Sequence, residues 1–344
     1  MRNNAFFAPD AYLASLYKKR LATPFAQVNT AEQAQAACDG VRKSLRDLLA
    51  LNIIDGQCAA LEPTTLKTAK RKGYTEKRLI LKICDDWNML LYLLIPETPN
   101  AAGVVALSGH GYGARQTLRL DRRGNYRIFN FFDNYQKNFA AVLAQQGCTV
   151  AIPELIAFGE ARLQKDRHKP FYNSSCYAVT SALHLCGTST AALRVYQAVR
   201  CLDFLEKQAS VDPLRLGCMG ISGGGLISLL TACIDERVSR AVVSGYISTF
   251  ETSILARWHC ADNYIHGLLG VGEPADIAAA IAPRKLSIES GRRDPLFPID
   301  GAAEAHANIQ RIYECLGAKD NLIIDVFNGR HQISGKKSFR FFSE

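Results

Sequence analysis

The chain has 344 residues, 48% of them hydrophobic, and a net charge of +9 from 41 basic and 32 acidic side chains. That apolar content excludes a disordered chain, and no run approaches the ~20 apolar residues of a membrane span. The positive charge is scattered through short stretches ("YKKR", "KTAKRKG", "RLDRRGNYR") with no nucleic-acid motif beside them, so it reads as a solvated basic surface and predicts neither a nucleic-acid nor a membrane partner.

Eleven cysteines are present, none in a C-x-x-C pair or at zinc-like spacing from histidine. Several sit in apolar runs, such as Cys201 in "AVRCLDFL" and Cys233 in "LLTACI", where a free thiol packs as a small hydrophobe. With no apolar signal-peptide core near the first residues, the expected compartment is the reducing cytoplasm.

In chain order, the segment from Asp10 to about Ile54 reads as helical, its apolar residues three and four apart. Thr30 ahead of Glu32 and Gln33 resembles a helix start without a strict capping box. Residues 1–72 are therefore expected as a helical extension packed on a main domain of residues 73–344. "RLILKICDDWNMLLYLLIP" reads as two antiparallel strands turning at "DDWN". Strands and helices then alternate. "GVVALSGHG" is a strand, "NYQKNFAAVLAQQG" a helix stopped by Gly147, and "CTVAIPEL" a strand. "TSTAALRVYQAVRCLDFLEKQ" is a helix, "LRLGCMGIS" a strand and "GGLISLLTACI" a helix. Three further strands lie in "VSRAVVSGYI", "KLSIESGRRD" and "NLIIDVFNGRH". This predicts an α/β fold, a mostly parallel sheet with helices on both faces. Stretches at about 114–135, 158–187 and 250–283 interrupt the alternation and are expected as cap-like insertions.

In such a sheet the chemistry sits beyond the carboxyl ends of the strands. Gly220-Ile221-Ser222-Gly223-Gly224 fits G-x-S-x-G between a strand and a helix, which makes Ser222 a candidate nucleophile; the competing reading is a structural glycine turn. A serine needs a base, and His331 follows the last strand. The base needs a carboxylate, and Asp294 follows the strand before it. Glu289, inside that strand, and Asp300, beyond two prolines, are the competing acids. The first strand of the alternation ends in His110-Gly111-Tyr112-Gly113, so the backbone amides of Tyr112 and Gly223 are candidate oxyanion donors. The same glycines could cradle a phosphate, but they lack the G-K-[ST] and G-x-G-x-x-G endings. His110, Trp258, His259 and Tyr264 are expected as pocket-wall residues contacting substrate. A metal site from His259, Asp262 and His266 is a weaker alternative, because their spacing fits no established ligand pattern. No metal or organic cofactor is expected.

"SGHGYG", "VAIPELIAFGE", "GCMGISGGG", "APRKLSIESGRRDPLFP" and "FNGRHQISG" together resemble the α/β-hydrolase superfamily, and within it the dienelactone hydrolase and acetyl xylan esterase-like enzymes. The resemblance covers about 101–342. It implies a triad of Ser222, Asp294 and His331 acting on a small-molecule ester. Dienelactone hydrolases carry a cysteine where Ser222 stands, which points to ordinary ester cleavage. Glu154 stands where relatives often have aspartate. A peptidase or amidase with the same triad, or a non-catalytic binding protein on this fold, remain alternatives. Oligomeric state is left open.

Overall fold

A computed structural model describes residues 8–51, 61–121, 123–126, 134–170 and 172–343. Two helices come first, α1 (Asp10–Arg20) and α2 (Ala31–Leu49). Three strands follow: β1 (Pro63–Arg71), β2 (Tyr74–Cys84) and β3 (Trp87–Pro96). The alternating part runs β4 (Gly103–Leu107), α3 (Phe139–Gln145), β5 (Thr149–Pro153), α4 (Cys176–Leu185), α5 (Thr190–Leu205), β6 (Leu216–Ile221), α6 (Gly223–Ile234) and β7 (Arg240–Ser244). It ends with α7 (Pro274–Ala279), β8 (Lys285–Gly291), α8 (Ile299–Cys315) and β9 (Leu322–Phe327).

Among the described residues the strands form a nine-stranded sheet in the order β1-β2-β3-β5-β4-β6-β7-β8-β9. β1, β2, β3 and β5 pair antiparallel in turn. From β5 through β4 to β9 every pairing is parallel. β4, β5 and β6 are buried along their whole length, as expected of apolar central strands covered on both faces. One face carries Val105, Cys218 and Val243 with residues of α2, α5, α6 and α8. The other carries Val104, Met219 and Val242 with α3, Phe341 and Phe342.

Two expectations about the first 72 residues need correction. The helical part stops at Leu49, and Pro63–Arg71 is a strand of the main sheet. "PTTLKTAKR" has no apolar period because β1 is an exposed edge, and its threonines suit extended backbone. Ile54, where the helical reading ended, lies outside the described residues. Thr30 also makes a full capping box, since Gln33 N donates to Thr30 Oγ1 at 3.3 Å while Thr30 N donates to Gln33 Oε1 at 3.3 Å. α2 buries Ala34, Cys38, Val41, Leu45 and Leu49, one stripe at helical spacing. Its Arg42 is buried too, and donates to Ala280 O and Ala282 O at the end of α7. The expected insertions hold helices of their own, α4 in 158–187 and α7 in 250–283. Residues 127–133 of the 114–135 stretch lie outside the described residues.

Candidate active site

Ser222, Asp294 and His331 follow β6, β8 and β9, which are mutually parallel, so all three stand at one end of the sheet. Ser222 turns from β6 into α6 with φ 57° and ψ −126°, a strained backbone for a residue with a Cβ. The turn is tight. A β-carbon at Gly220 would lie 2.0 Å from Gly224 O, so glycine is required there. Ser222 N donates to Ser244 O at 3.0 Å, which ties the elbow to the end of β7. The next residue, Gly245, touches His331: a β-carbon there would sit 3.2 Å from the ring Cε1. Serine and histidine thus converge on the same short segment.

His331 Nδ1 and Asp294 Oδ2 are 2.8 Å apart. The other carboxylate oxygen of Asp294 accepts from Leu296 N at 2.8 Å and Phe297 N at 3.1 Å, so its orientation is fixed. With the proton on Nδ1, His331 Nε2 is a free acceptor; it is buried and has no hydrogen-bond partner among the described residues. The imidazole stacks on Tyr135 (centroids 5.7 Å) and on Phe297 (5.8 Å), each at 21°. The competing acids are elsewhere. Glu289 accepts from Ser334 N, Gly335 N and Ser338 Oγ, holding the loop beyond His331. Asp300 is exposed in the first turn of α8.

Gly223 is the first residue of α6, where the helix end favours negative charge. The His110 ring lies over it, Cε1 being 2.8 Å from where a β-carbon of Gly223 would stand. Tyr112 N is engaged, donating to Gln116 Oε1 at 3.2 Å. Glu154 supports this loop from below, Oε1 accepting from Ala114 N at 3.1 Å. Burial raises the Glu154 carboxyl to about 8.

The expected pocket-wall residues divide. His259 is buried, its ring edge-on to Phe297, with burial and then the Arg257 charge lowering its pKa. Trp258 is 85% exposed, and Tyr264 is also exposed, its hydroxyl donating to Ile254 O. His110 Nε2 lies 3.0 Å from Asp262 Oδ2. Asp262 also meets Arg194 Nη1 at 2.5 Å. Burial alone would raise the Asp262 carboxyl, but His110 and Arg194 hold it well below the usual carboxylate range. The weaker metal grouping is not assembled as read: Asp262 keeps company with His110, Cys176 and Cys260, while His266 is exposed. Spacing along one loop could not reveal partners supplied by α4 and the β4 loop.

Tyr135 is a site residue that sequence reasoning missed. Besides stacking on His331, its hydroxyl donates to His110 O at 2.6 Å, bridging His331 and the glycine loop. It lies at the end of an insertion, with no motif around it.

The strand order and the serine elbow define the α/β-hydrolase fold. No family model matches the chain. The Bacillus subtilis (strain 168) protein YtaP, provisionally described as a hydrolase, is 22% identical over 262 residues, covering 74% of this chain and 82% of its own length. A Bacteroides fragilis protein provisionally described as an acetyl xylan esterase superposes with a TM-score of 0.76 at 14% identity, over 100% of this chain and 91% of its own. The methylesterase BT1017 gives 0.70 at 21% identity, over 97% of this chain and 66% of its own. A glucuronoyl esterase from Solibacter usitatus gives 0.60 at 16%, over 94% and 96%. All share the fold.

Proposed function

We propose that the protein is a serine hydrolase that cleaves small carboxylic esters, acyl or acetyl, with Ser222 as nucleophile, His331 as base and Asp294 as its orienting acid. The observation that carries this reading is the 2.8 Å Asp294–His331 contact with Nε2 left unpartnered, at the end of the sheet where Ser222 makes its strained turn. The hydrolase and esterase names of the similar proteins support the ester class.

In the proposed reaction, His331 Nε2 takes the Ser222 proton as Oγ attacks the ester carbonyl carbon. The carbonyl oxygen becomes an oxyanion facing Gly223 N–H and Tyr112 N–H. Tyr112 N–H must leave Gln116 Oε1 to reach it. His331 returns the proton to the departing alkoxide, leaving an acyl-Ser222. Water, deprotonated by His331, then attacks the acyl carbon; as the acyl–Oγ bond breaks, His331 returns that proton to Ser222 Oγ and the acid departs. Asp294 holds the imidazole in the tautomer that keeps Nε2 basic and steadies the imidazolium.

Ser222→Ala is expected to abolish both p-nitrophenyl acetate hydrolysis and labelling by a fluorophosphonate probe. Labelling retained in that variant would refute the assignment.

A further inference from the structure

His110, Cys176, Cys260 and Asp262 come from three separate segments: the loop after β4, the start of α4 and the stretch beyond β7. Each offers one ligand atom, and the four atoms lie within 4.8 Å of one another. We propose that these four side chains form a zinc site beside the glycine loop.

Two sulfurs, one imidazole nitrogen and one carboxylate oxygen are a donor set that suits zinc, and four is the number a closed tetrahedral site takes. In such a site, zinc–ligand lengths of about 2.0–2.3 Å set neighbouring ligand atoms about 3.3–3.8 Å apart. Here His110 Nε2 is 3.0 Å and Cys176 Sγ 3.3 Å from Asp262 Oδ2. These two spacings are at or just below that range, and all four atoms lie within 4.8 Å of one another, so small side-chain adjustments would bring them around one ion.

The surroundings fit the charge of such a site. Two thiolates and a carboxylate around a dication leave one net negative charge, which burial would penalise. Arg194, among the most buried side chains of the molecule, supplies the balancing cation. Its Nη1 reaches Asp262 Oδ2 at 2.5 Å and its Nη2 reaches Cys176 Sγ at 3.3 Å. Asn263 Nδ2 donates to Asp262 Oδ1 at 2.9 Å. Outer groups that donate to ligand atoms and fix their direction are the usual second layer of a metal site. Arg194 is itself anchored by Ile156 O and the face of Phe158. An ion here would tie the loop carrying His110 and Tyr112 to α4, so its role would be to hold one wall of the site.

The test uses the intact protein. After loading with zinc and gel filtration, elemental analysis is expected to find about one zinc per chain. Cobalt(II) in its place is expected to give thiolate-to-cobalt charge transfer and the intense visible bands of a tetrahedral ion. Cys260→Ser is expected to roughly halve the charge-transfer band, since one of two sulfur ligands is lost. Wild-type protein that retains under roughly a tenth of an equivalent of zinc overturns the proposal, without recourse to any variant. So do cysteines that react with a thiol reagent equally fast with and without zinc. Fluorophosphonate labelling is read separately, so a missing metal leaves the hydrolase reading untouched.

Discussion

Asp294 holds His331 through Nδ1 at 2.8 Å and spends its second oxygen on two backbone amides. The carboxylate therefore selects one tautomer of the base. Asp294→Asn keeps the shape but offers an amide where the acceptor stood. In serine proteases the same exchange lowers kcat by about 10⁴. A fall of that order is expected here, with the melting temperature little changed. Activity within a few-fold of wild type would mean that another group orients His331.

Gln116 Oε1 occupies Tyr112 N–H, one of the two proposed oxyanion donors. A net hydrogen bond of about 1 kcal/mol corresponds to roughly fivefold in rate. Gln116→Ala is therefore expected to raise kcat/KM for p-nitrophenyl acetate by about that factor. A fall of similar size would show that Gln116 chiefly orders the loop.

Glu154 is buried with its carboxyl raised to about 8. In the unfolded chain it titrates at its ordinary lower value, so between the two the folded state binds the extra proton. Stability from this group is full at low pH and is lost as pH rises towards about 8. Glu154→Gln removes the titration. Its melting temperature relative to wild type is expected to rise between about pH 5 and 8. Parallel melting curves for the two proteins across that range would contradict the buried neutral acid.

Arg42 docks α2 by donating to two carbonyls at the end of α7. Charged donors contribute about 1.5–3 kcal/mol per bond. Arg42→Met keeps much of the packing and loses both bonds, so a loss of about 3–6 kcal/mol is expected in urea unfolding. Loss below about 0.5 kcal/mol would place the extension's stability in its apolar stripe alone.

The three residues of the proposed triad could be singled out in the sequence because each follows its own apolar strand: Ser222 after β6, Asp294 after β8 and His331 after β9. Parallel topology sends those strand ends to one side, so local pattern was enough. The rest depends on contacts that local pattern does not carry. β1 reads as polar because it is an edge, and its partner β2 had to be known first. Tyr135 reaches His331 from the end of an insertion, 196 positions earlier in the chain. Cys176 and Asp262 are 86 positions apart, and only the packing of α4 brings them together.

Glu289 joins β8, which leads to Asp294, to the loop that continues from His331. Asp294 and His331 are thus joined through Glu289, whereas Ser222 rides on the turn between β6 and α6 and meets them through the end of β7. Thermal motion would leave the Asp294–His331 contact almost constant and appear in the gap between Oγ and Nε2. On the proposed mechanism that gap is the coordinate a bound ester would have to shorten, so the temperature response of ester cleavage is expected to follow the serine elbow more than the Asp294–His331 pair.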